Sequence, residues 1–317
     1  MKKLILSASL LVLLFSCAEN ETSENLSATT EIAHRGCASH DVLLNKLNED
    51  PKLAQRMSEI ETFTQKAISE GKLVNGQIVI PVVVNVLYKT SAENISLAQI
   101  QSQIDVLNED FNGTNSDFNN VPSLFSGVKA NVGISFVLDA VVRKSTKKSS
   151  WRTDDSMKKS NKGGINPTSP TTKLNLWVCN LSGGILGYAQ FPGGSSATDG
   201  VVIDNNAMGT TGSASAPFNL GRTATHEVGH WMNLRHIWGD ATCGNDFVND
   251  TPSHNTANYG CPSFPHYSTC SGTPVEMTMN YMDYTNDSCM YMFSNDQKSR
   301  MLAVFSSGGA RNSFAQP

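Results

Sequence analysis

The sequence predicts an α+β domain built around a twisted β-sheet. Residues 77–88 are dense in β-branched side chains, as in a strand buried on both faces. A helical stripe follows, and its start is marked by Ser96 and Gln99 in the pattern of a capping box. Alternating segments then precede a second helical segment at 224–231. The order strand, helix, strands, helix is typical of an α+β fold.

Ahead of this domain the chain predicts helix. Asp50 and Pro51 form a helix-start signal, and apolar residues recur at helical spacing after them. We expect residues 41–70 to be largely helical and to pack through this apolar stripe. The stretch 70–77 contains two glycines and is the expected boundary with the domain that follows.

Further strands are predicted inside the domain. Residues 132–140 and 174–179 alternate with period two. Short strands are expected at 183–190 and 200–204, each next to glycine. The polar, lysine-rich stretch 143–170 is interpreted as a solvated surface loop. Near the C-terminus, Ser294 and Gln297 again form a capping-box pattern, which predicts a last helix.

The helical segment at 224–231 carries a candidate metal site. His226 and His230 are four residues apart, which places two imidazoles on one helical face, one turn apart. Glu227 lies between them, where its carboxylate can stand beside an ion without binding it. An accidental match to so short a pattern is the alternative interpretation.

A third imidazole strengthens the prediction. His236 is too far along the chain for the same face, so the chain must leave the helix and turn back. Asn233 stands where this turn must occur, and asparagine readily adopts the left-handed conformation. Three neutral imidazoles with an open fourth position are typical of a hydrolytic zinc site. Glu227 would act there as the general base toward a water of lowered pKa.

This stretch resembles the long zinc-binding signature of the metzincin metallopeptidases, with Asn233 in place of the usual glycine. Its continuation through Trp238 to Asp240 is similar to the bacterial secreted branch of the pappalysin family. The resemblance spans residues 35–301. It implies a metzincin-type catalytic domain at 76–317, with a twisted, mostly parallel sheet, a backing helix and an active-site helix. An upper subdomain (76–233) would precede an irregular, disulfide-bonded lower subdomain (234–317).

The resemblance assigns further site residues. Met282, in the run from Asn280 to Tyr284, matches the methionine-containing turn that forms an apolar floor beneath the zinc. Tyr284 matches a tyrosine that stabilises the oxyanion. An exposed edge strand would bind a substrate peptide as an additional strand. Its expected residues are Gly184, Ile185, Leu186, Gly187, Tyr188 and Ala189.

Four cysteines fall beyond the zinc motif: Cys243, Cys261, Cys270 and Cys289. In an oxidising compartment they predict two disulfides, and their spacing alone leaves three pairings open. The pappalysin resemblance implies Cys243–Cys270 and Cys261–Cys289. A structural zinc site is the alternative. Cys179 lies on a predicted strand and is expected to be a buried thiol.

An oxygen-rich loop nearby is a candidate calcium site. Asp246, Asp250 and Thr251 offer hard oxygen ligands, which suit Ca²⁺. The segment from Asp250 to Pro252 also resembles a family segment near which calcium binds. A capped turn with solvated acids is the alternative.

Residues 34–75 are expected to be a pro-segment that keeps the enzyme latent. Cys37 lies between small residues, and a thiolate is a good zinc ligand that can take the place of water. The segment starting at Arg35 is similar to the Arg-x-Cys-Gly motif of pappalysin pro-regions. A free thiol, or a disulfide with Cys179, is the alternative for Cys37.

The N-terminus predicts export. Residues 1–17 have two lysines, an apolar run and a final Cys17, as in a signal peptide that ends in a bacterial lipobox. Lipidated Cys17 would attach the protein to the outer membrane or cell surface, and residues 18–33 would form a flexible tether. Cleavage without lipidation, giving a secreted protein, is the alternative.

Composition is consistent with these predictions. Net charge is −4 and charged residues make up 16% of the chain, so nothing suggests a nucleic-acid partner. The apolar share of 39% supports a core but is too low for a membrane bundle. The zinc motif and the family resemblance together predict a monomeric zinc endopeptidase that acts on proteins or peptides. Asp287, just after the methionine turn, is a candidate for favouring basic residues after the scissile bond. The alternatives are an inactive metzincin-fold binding protein and a non-peptidase zinc hydrolase.

Overall fold

The computed structural model describes residues 34–315, so the predicted signal peptide, Cys17 and the tether lie outside the described residues. Its five strands and five α-helices follow in chain order. The helices are α1 (Ser39–Glu49), α2 (Leu53–Ser69), α3 (Leu97–Asn112), α4 (Arg222–Trp231) and α5 (Asn295–Phe305). The strands are β1 (Ile78–Tyr88), β2 (Ile134–Ser145), β3 (Leu174–Cys179), β4 (Gly187–Ala189) and β5 (Val201–Asp204).

The strands form one mixed sheet in the order β2-β1-β3-β5-β4. All neighbours are parallel except β4, which is antiparallel to β5 at the edge. Strand β1 pairs on both sides, and its residues 82–86 are fully buried. This explains its continuous β-branched sequence, because a central parallel strand has apolar neighbours on both faces. The predicted α+β class, with a mostly parallel sheet, is confirmed.

Helices α3 and α4 pack against the sheet and share its main apolar core. The Ser96 hydroxyl accepts the backbone N–H of Gln99 at 3.0 Å and caps α3. At the other end of α3, Gly113 adopts a left-handed conformation with φ 61°. Helix α5 begins with the complete capping box predicted for Ser294 and Gln297. These local signals fix where the helices begin and end.

The predicted helical segment before the domain is two helices rather than one. Asp50 ends α1, and its carboxylate accepts the backbone N–H of Lys52 at 3.1 Å before α2 begins. Helix α2 packs along α5. There the Arg300 guanidinium donates to both carboxylate oxygens of Glu61, at 2.9 and 2.8 Å. Arg300 also donates to the carbonyl of Asn233, at 3.3 Å.

The expectation of a solvated loop at 143–170 is wrong in its central part. Lys158 is 1% exposed, and its ammonium lies 2.9 Å from the Asp155 carboxylate. Trp151 and Met157 are buried with it against the second face of the sheet. Because Asp155 pairs the ammonium three residues away, a lysine can be buried in a segment whose composition suggests a surface.

After α4 the chain is irregular until α5. Two disulfides, Cys243–Cys270 and Cys261–Cys289, connect this region in the crossed pairing. Among the described residues, Cys37 and Cys179 are free, so no disulfide joins them. Within residues 34–315, none of the helices combines the length and the apolar character that crossing a bilayer requires.

Candidate metal centre

Three imidazoles converge at the C-terminal end of α4. Nε2 of His230 lies 3.1 Å from Nε2 of His226 and 3.1 Å from Nε2 of His236. All three residues are at most 1% exposed. The helical spacing brings the first two together, as predicted, and the third arrives from the segment after the helix.

The turn that returns His236 to the site occurs at Asn233. This residue has φ 75°, the left-handed conformation predicted for it. The next residue, Leu234, donates its N–H to the carbonyl of Gly229 at 3.0 Å and closes the helix end. An asparagine therefore makes the turn at the position where the metzincin signature has glycine.

Each imidazole is oriented by a partner on its other nitrogen. Nδ1 of His226 lies 2.7 Å from the carbonyl of Tyr281, and Nδ1 of His230 lies 2.8 Å from the carbonyl of Leu234. Nδ1 of His236 contacts the carboxylate of Asp240. Since carbonyl oxygens only accept, the first two rings carry their proton on Nδ1 and direct the Nε2 lone pair into the site.

The electrostatics fit a divalent metal such as zinc. Burial lowers the pKa of both His226 and His230, so these rings are neutral at physiological pH. The three Nε2 atoms and the Cys37 sulfur all lie within 4.8 Å of one another. Three imidazoles and one thiol make a four-donor set of the kind that binds zinc tetrahedrally. His226, His230 and His236 would hold the ion, with Cys37 in the fourth position.

The Glu227 carboxylate stands beside this donor set. Its Oε2 accepts from the Cys37 thiol at 3.5 Å and from the Ser39 hydroxyl at 2.7 Å. Burial raises the pKa of Glu227 to about 7, although the bonds from Ser39 and Cys37 oppose this. A carboxylate with this pKa can both accept and return a proton near neutral pH.

Ser39 was not singled out in the sequence. Its hydroxyl also accepts the backbone N–H of Ala189 on β4, at 2.8 Å. The residue thus connects the candidate base to the edge strand, and it is fully buried. Its position two residues after Cys37, at the start of α1, is the only local signal of its role.

The segment around Cys37 runs along the edge of the sheet. The N–H of Ala38 donates to the carbonyl of Gly187 at 3.0 Å, and the N–H of Leu186 donates to the carbonyl of Gly36 at 2.7 Å. This bridge to β4 is parallel. The predicted edge strand at 184–189 is shorter than expected, since only Gly187–Ala189 is a strand. Gly184 has φ 72° and belongs to the preceding turn.

Arg35 forms a buried ion pair next to the histidine site. Its guanidinium lies 2.5 Å from the Asp287 carboxylate and donates to the carbonyl of Thr285 at 3.2 Å. Both members of the ion pair are almost fully buried. Asp287 also accepts the backbone N–H groups of Leu220 and Arg222, which fix its orientation. The sequence indicated Asp287 as a residue that favours basic substrate side chains, but it gave no link to Arg35.

Met282 packs beneath helix α4 at Gly229, and Tyr284 lies beside the His236 ring. Met282 is fully buried, and a Cβ added to Gly229 would lie 2.6 Å from its sulfur. The Tyr284 ring is 4.9 Å from the His236 ring. Its hydroxyl donates to the carbonyl of Cys37 at 3.2 Å, so in this state the hydroxyl is engaged by the pro-segment.

The candidate calcium ligands have protein partners. Asp246 accepts the Thr251 hydroxyl at 2.8 Å, and burial raises its pKa to about 6. Asp250 accepts the Ser294 hydroxyl at 2.5 Å and the N–H of Asp296 at 2.9 Å, at the start of α5. Both carboxylates therefore have hydrogen-bond donors among the described residues.

Comparison with known proteins agrees with this geometry. A family model described as pregnancy-associated plasma protein-A, a peptidase family, matches residues 169–306. An extracellular metalloprotease of Pyricularia oryzae is 37% identical over 224 residues, covering 68% of this chain and 69% of its own. Extracellular metalloprotease 1 of Coccidioides posadasii is 34% identical over 220 residues, covering 67% and 70%.

Solved structures are also similar. A promirolysin variant of Tannerella forsythia is 41% identical, with a TM-score of 0.81, and covers 89% of this chain and 97% of its own. Mature mirolysin of the same organism, in complex with a cleaved peptide, is 46% identical, with a TM-score of 0.74. The mature form covers 76% of this chain and 97% of its own.

Proposed function

This chain belongs to the pregnancy-associated plasma protein-A (pappalysin) family of metzincin metalloproteases, and we propose that it is a secreted zinc endopeptidase made as an inactive precursor. One observation carries the proposal. The Cys37 sulfur completes a four-donor set with His226, His230 and His236, and Glu227 stands beside it. With zinc bound, the thiol would occupy the position that a catalytic zinc site leaves to water.

A zinc ion bound by the three histidines would supply Lewis acidity toward water and toward the peptide carbonyl. The other steps belong to the chain. Glu227 takes the proton of the attacking water and later gives it to the leaving amine. Tyr284, once its hydroxyl is released from Cys37, donates to the developing oxyanion. The β4 backbone groups now paired with residues 36–38 pair with the substrate instead.

We place the pro-segment at residues 34–75 and the catalytic domain at 76–317. Promirolysin covers 89% of this chain and mature mirolysin 76%, a difference of about 41 residues. The proposed pro-segment has 42 residues. This agreement supports a boundary near residue 75, with the upper subdomain at 76–233 and the lower one at 234–317.

The Arg35–Asp287 pair supports a preference for basic residues after the scissile bond. Asp287 is fully buried and would lose its cation when the pro-segment leaves. An unpaired buried carboxylate is costly, so a substrate arginine or lysine that enters the same position restores the pairing. Replacing Asp287 with asparagine should therefore remove this preference.

Protease assays on the activated wild type and on Glu227→Ala test the main proposal. We expect loss of the base to lower kcat by about 10²-fold or more, with one zinc per chain retained in both proteins. A protein that binds peptides without cleaving them would instead be the binding module. Cleavage of esters or glycans without cleavage of peptides would favour the non-peptidase hydrolase.

Three further predictions accompany this function. We propose that residues 1–17 direct export and that Cys17 is lipidated; a mature N-terminus without acyl groups by mass spectrometry would contradict lipidation. We also propose that calcium binds at Asp246, Asp250 and Thr251. The melting temperature should then be higher in Ca²⁺ than in EGTA. A monomer is expected by light scattering of the full chain.

A further inference from the structure

His34, the first described residue of the pro-segment, lies against an aromatic side chain next to the cleft. Its ring meets the Tyr259 ring edge-on, with centroids 4.4 Å apart and an interplanar angle of 74°. Tyr259 in turn lies 6.0 Å, centroid to centroid, from the ring of Tyr284. An imidazole of the pro-segment therefore touches a ring that borders the catalytic machinery.

The order of contacts along the pro-segment places Tyr259 within the cleft. Cys37 lies at the metal site, and Arg35 fills the position beside Asp287. His34 is the next residue away from the metal, so Tyr259 is the surface that meets it. A substrate with its scissile bond at the metal and its basic side chain in the place of Arg35 runs in the direction opposite to the pro-segment. The residue that follows its basic residue therefore takes the place of His34 and meets the same ring.

Backbone hydrogen bonds on both sides of Tyr259 fix the loop that carries it. The preceding residue, Asn258, donates its backbone N–H to the Asp283 carboxylate at 2.8 Å. The following residue, Gly260, accepts the N–H of Asn286 at 2.8 Å. Both partners belong to the segment that carries Tyr284 and Asp287. These two contacts lie outside the pro-segment and position the Tyr259 backbone relative to the catalytic residues.

The chemistry of the exposed face suggests what it binds. Tyr259 remains 38% exposed even with His34 against it, and removal of the pro-segment would uncover more of the ring. An edge-on ring pair gains energy from the aromatic quadrupole as well as from buried area. Such a surface favours a flat side chain over an aliphatic one of similar size.

We propose that Tyr259 forms the wall of a substrate subsite for an aromatic or imidazole side chain. This side chain belongs to the second residue after the scissile bond, which follows the basic residue and lies farther from the metal. The proposal rests on the peptidase function, because the ligand is a substrate peptide. It assigns to Tyr259 a role in specificity and none in proton transfer.

Matched peptides test the subsite on enzyme activated from the full precursor. The peptides carry arginine after the scissile bond and differ only at the next residue, which is Phe, His, Leu or Ala. We expect the wild type to favour Phe and His over Leu by about three- to ten-fold in kcat/KM, mainly through KM. Tyr259→Phe should keep this ratio, and Tyr259→Leu should bring it close to one.

Tyr267→Leu is the matched control, because Tyr267 is a surface tyrosine with 60% exposure. Its peptide ratio should equal that of the wild type. The subsite is overturned if wild type shows no preference for a ring, or if Tyr259→Leu keeps the preference.

A binding measurement separates this proposal from the peptidase function. The same peptides are titrated onto the Glu227→Ala variant by calorimetry, which needs no turnover. Tighter binding of the Phe peptide than of the Leu peptide, lost in the Tyr259→Leu double variant, supports the subsite even if no peptide is cleaved. Equal affinities overturn it even if the protein proves to be an active peptidase.

Discussion

The hydroxyl of Ser39 donates to Oε2 of Glu227 across 2.7 Å, so the pro-segment binds the candidate base as well as the metal site. The same hydroxyl accepts the N–H of Ala189. The buried Ser39 side chain therefore occupies both the Glu227 carboxylate and the N–H of Ala189, which a substrate complex would use. In the proposed precursor, inhibition would involve two adjacent groups, the Cys37 thiol and the Ser39 hydroxyl.

Replacing Ser39 with alanine should weaken inhibition without affecting the metal donors. A hydrogen bond to a charged group contributes about 1.5–3 kcal/mol, and its loss favours the open precursor by that amount. We expect the intact Ser39→Ala precursor to cleave a fluorogenic peptide faster than the intact wild type, with gels showing that neither chain is cut. Ser58→Ala, on an exposed position of α2, is the control and should behave as wild type. Equal rates for Ser39→Ala and the wild type would contradict the prediction.

The Cys37 thiol should account for most of the latency. Its sulfur is the non-histidine member of the four-donor set, so Cys37→Ala leaves the metal open to water. We expect the uncut Cys37→Ala precursor to be active and to retain zinc. Cys179→Ala is a matched control, because Cys179 is also a free thiol but is buried on β3. Latency that persists in Cys37→Ala would refute the switch.

The Asp155 ion pairs predict an acid-sensitive precursor. Burial would raise the pKa of this carboxyl, but the ammonium groups of Lys158 and Lys46 outweigh burial and lower the pKa to about 2. A carboxyl with a depressed folded pKa stabilises the fold above its unfolded pKa of 3.8. That contribution, about 2 kcal/mol, is lost as pH falls from about 4 to 2.

Lys46→Met removes one of the two cations and leaves Lys158 paired. The variant precursor should unfold at lower urea than wild type at pH 7, and the difference should shrink as pH falls from 4 toward 2. Lys66→Met, at an exposed position of α2, should show no such difference. A gap between Lys46→Met and the wild type that stays constant down to pH 2 would show that the lost stability is not electrostatic.

Gly229 should not tolerate a side chain. Its added Cβ would lie 2.6 Å from the sulfur of fully buried Met282, and crowding of this kind costs about 1–3 kcal/mol. We expect Gly229→Ala to lower the melting temperature and the zinc content of the purified protein. Gly127→Ala is the control, since a Cβ there meets nothing within 4 Å. A normal zinc content in Gly229→Ala would show that the turn beneath the site can shift without disturbing the metal.

Local sequence patterns predicted the parts of the site that depend on local geometry. His226 and His230 are four residues apart, and any two helical residues at that spacing share one face. The residue type of Asn233 indicated the turn that brings His236 back to them. Capping chemistry likewise gave the starts of α3 and α5. These features need no knowledge of the rest of the chain.

Contacts between distant segments were not predictable in the same way. Ser39 meets Glu227, and Arg35 meets Asp287, across 188 and 252 residues. No spacing or periodicity links such residues, since the fold alone brings them together. Lys158 was misassigned for a related reason, because its residue type indicates solvent whereas its buried partner Asp155 decides its position.

The two hydrogen bonds from Arg300 to Glu61 bear on whether one proteolytic cut releases the pro-segment. They hold α2 against α5, far along the chain from Cys37. Two further ion pairs hold the pro-segment, from Arg35 to Asp287 and from Lys46 to Asp155. Scission near residue 75 alone would leave a nicked complex in which the severed peptide remains seated as a non-covalent inhibitor. Activation should then accelerate on dilution, which favours dissociation, or after a second scission within the helices shortens the peptide that has to stay bound.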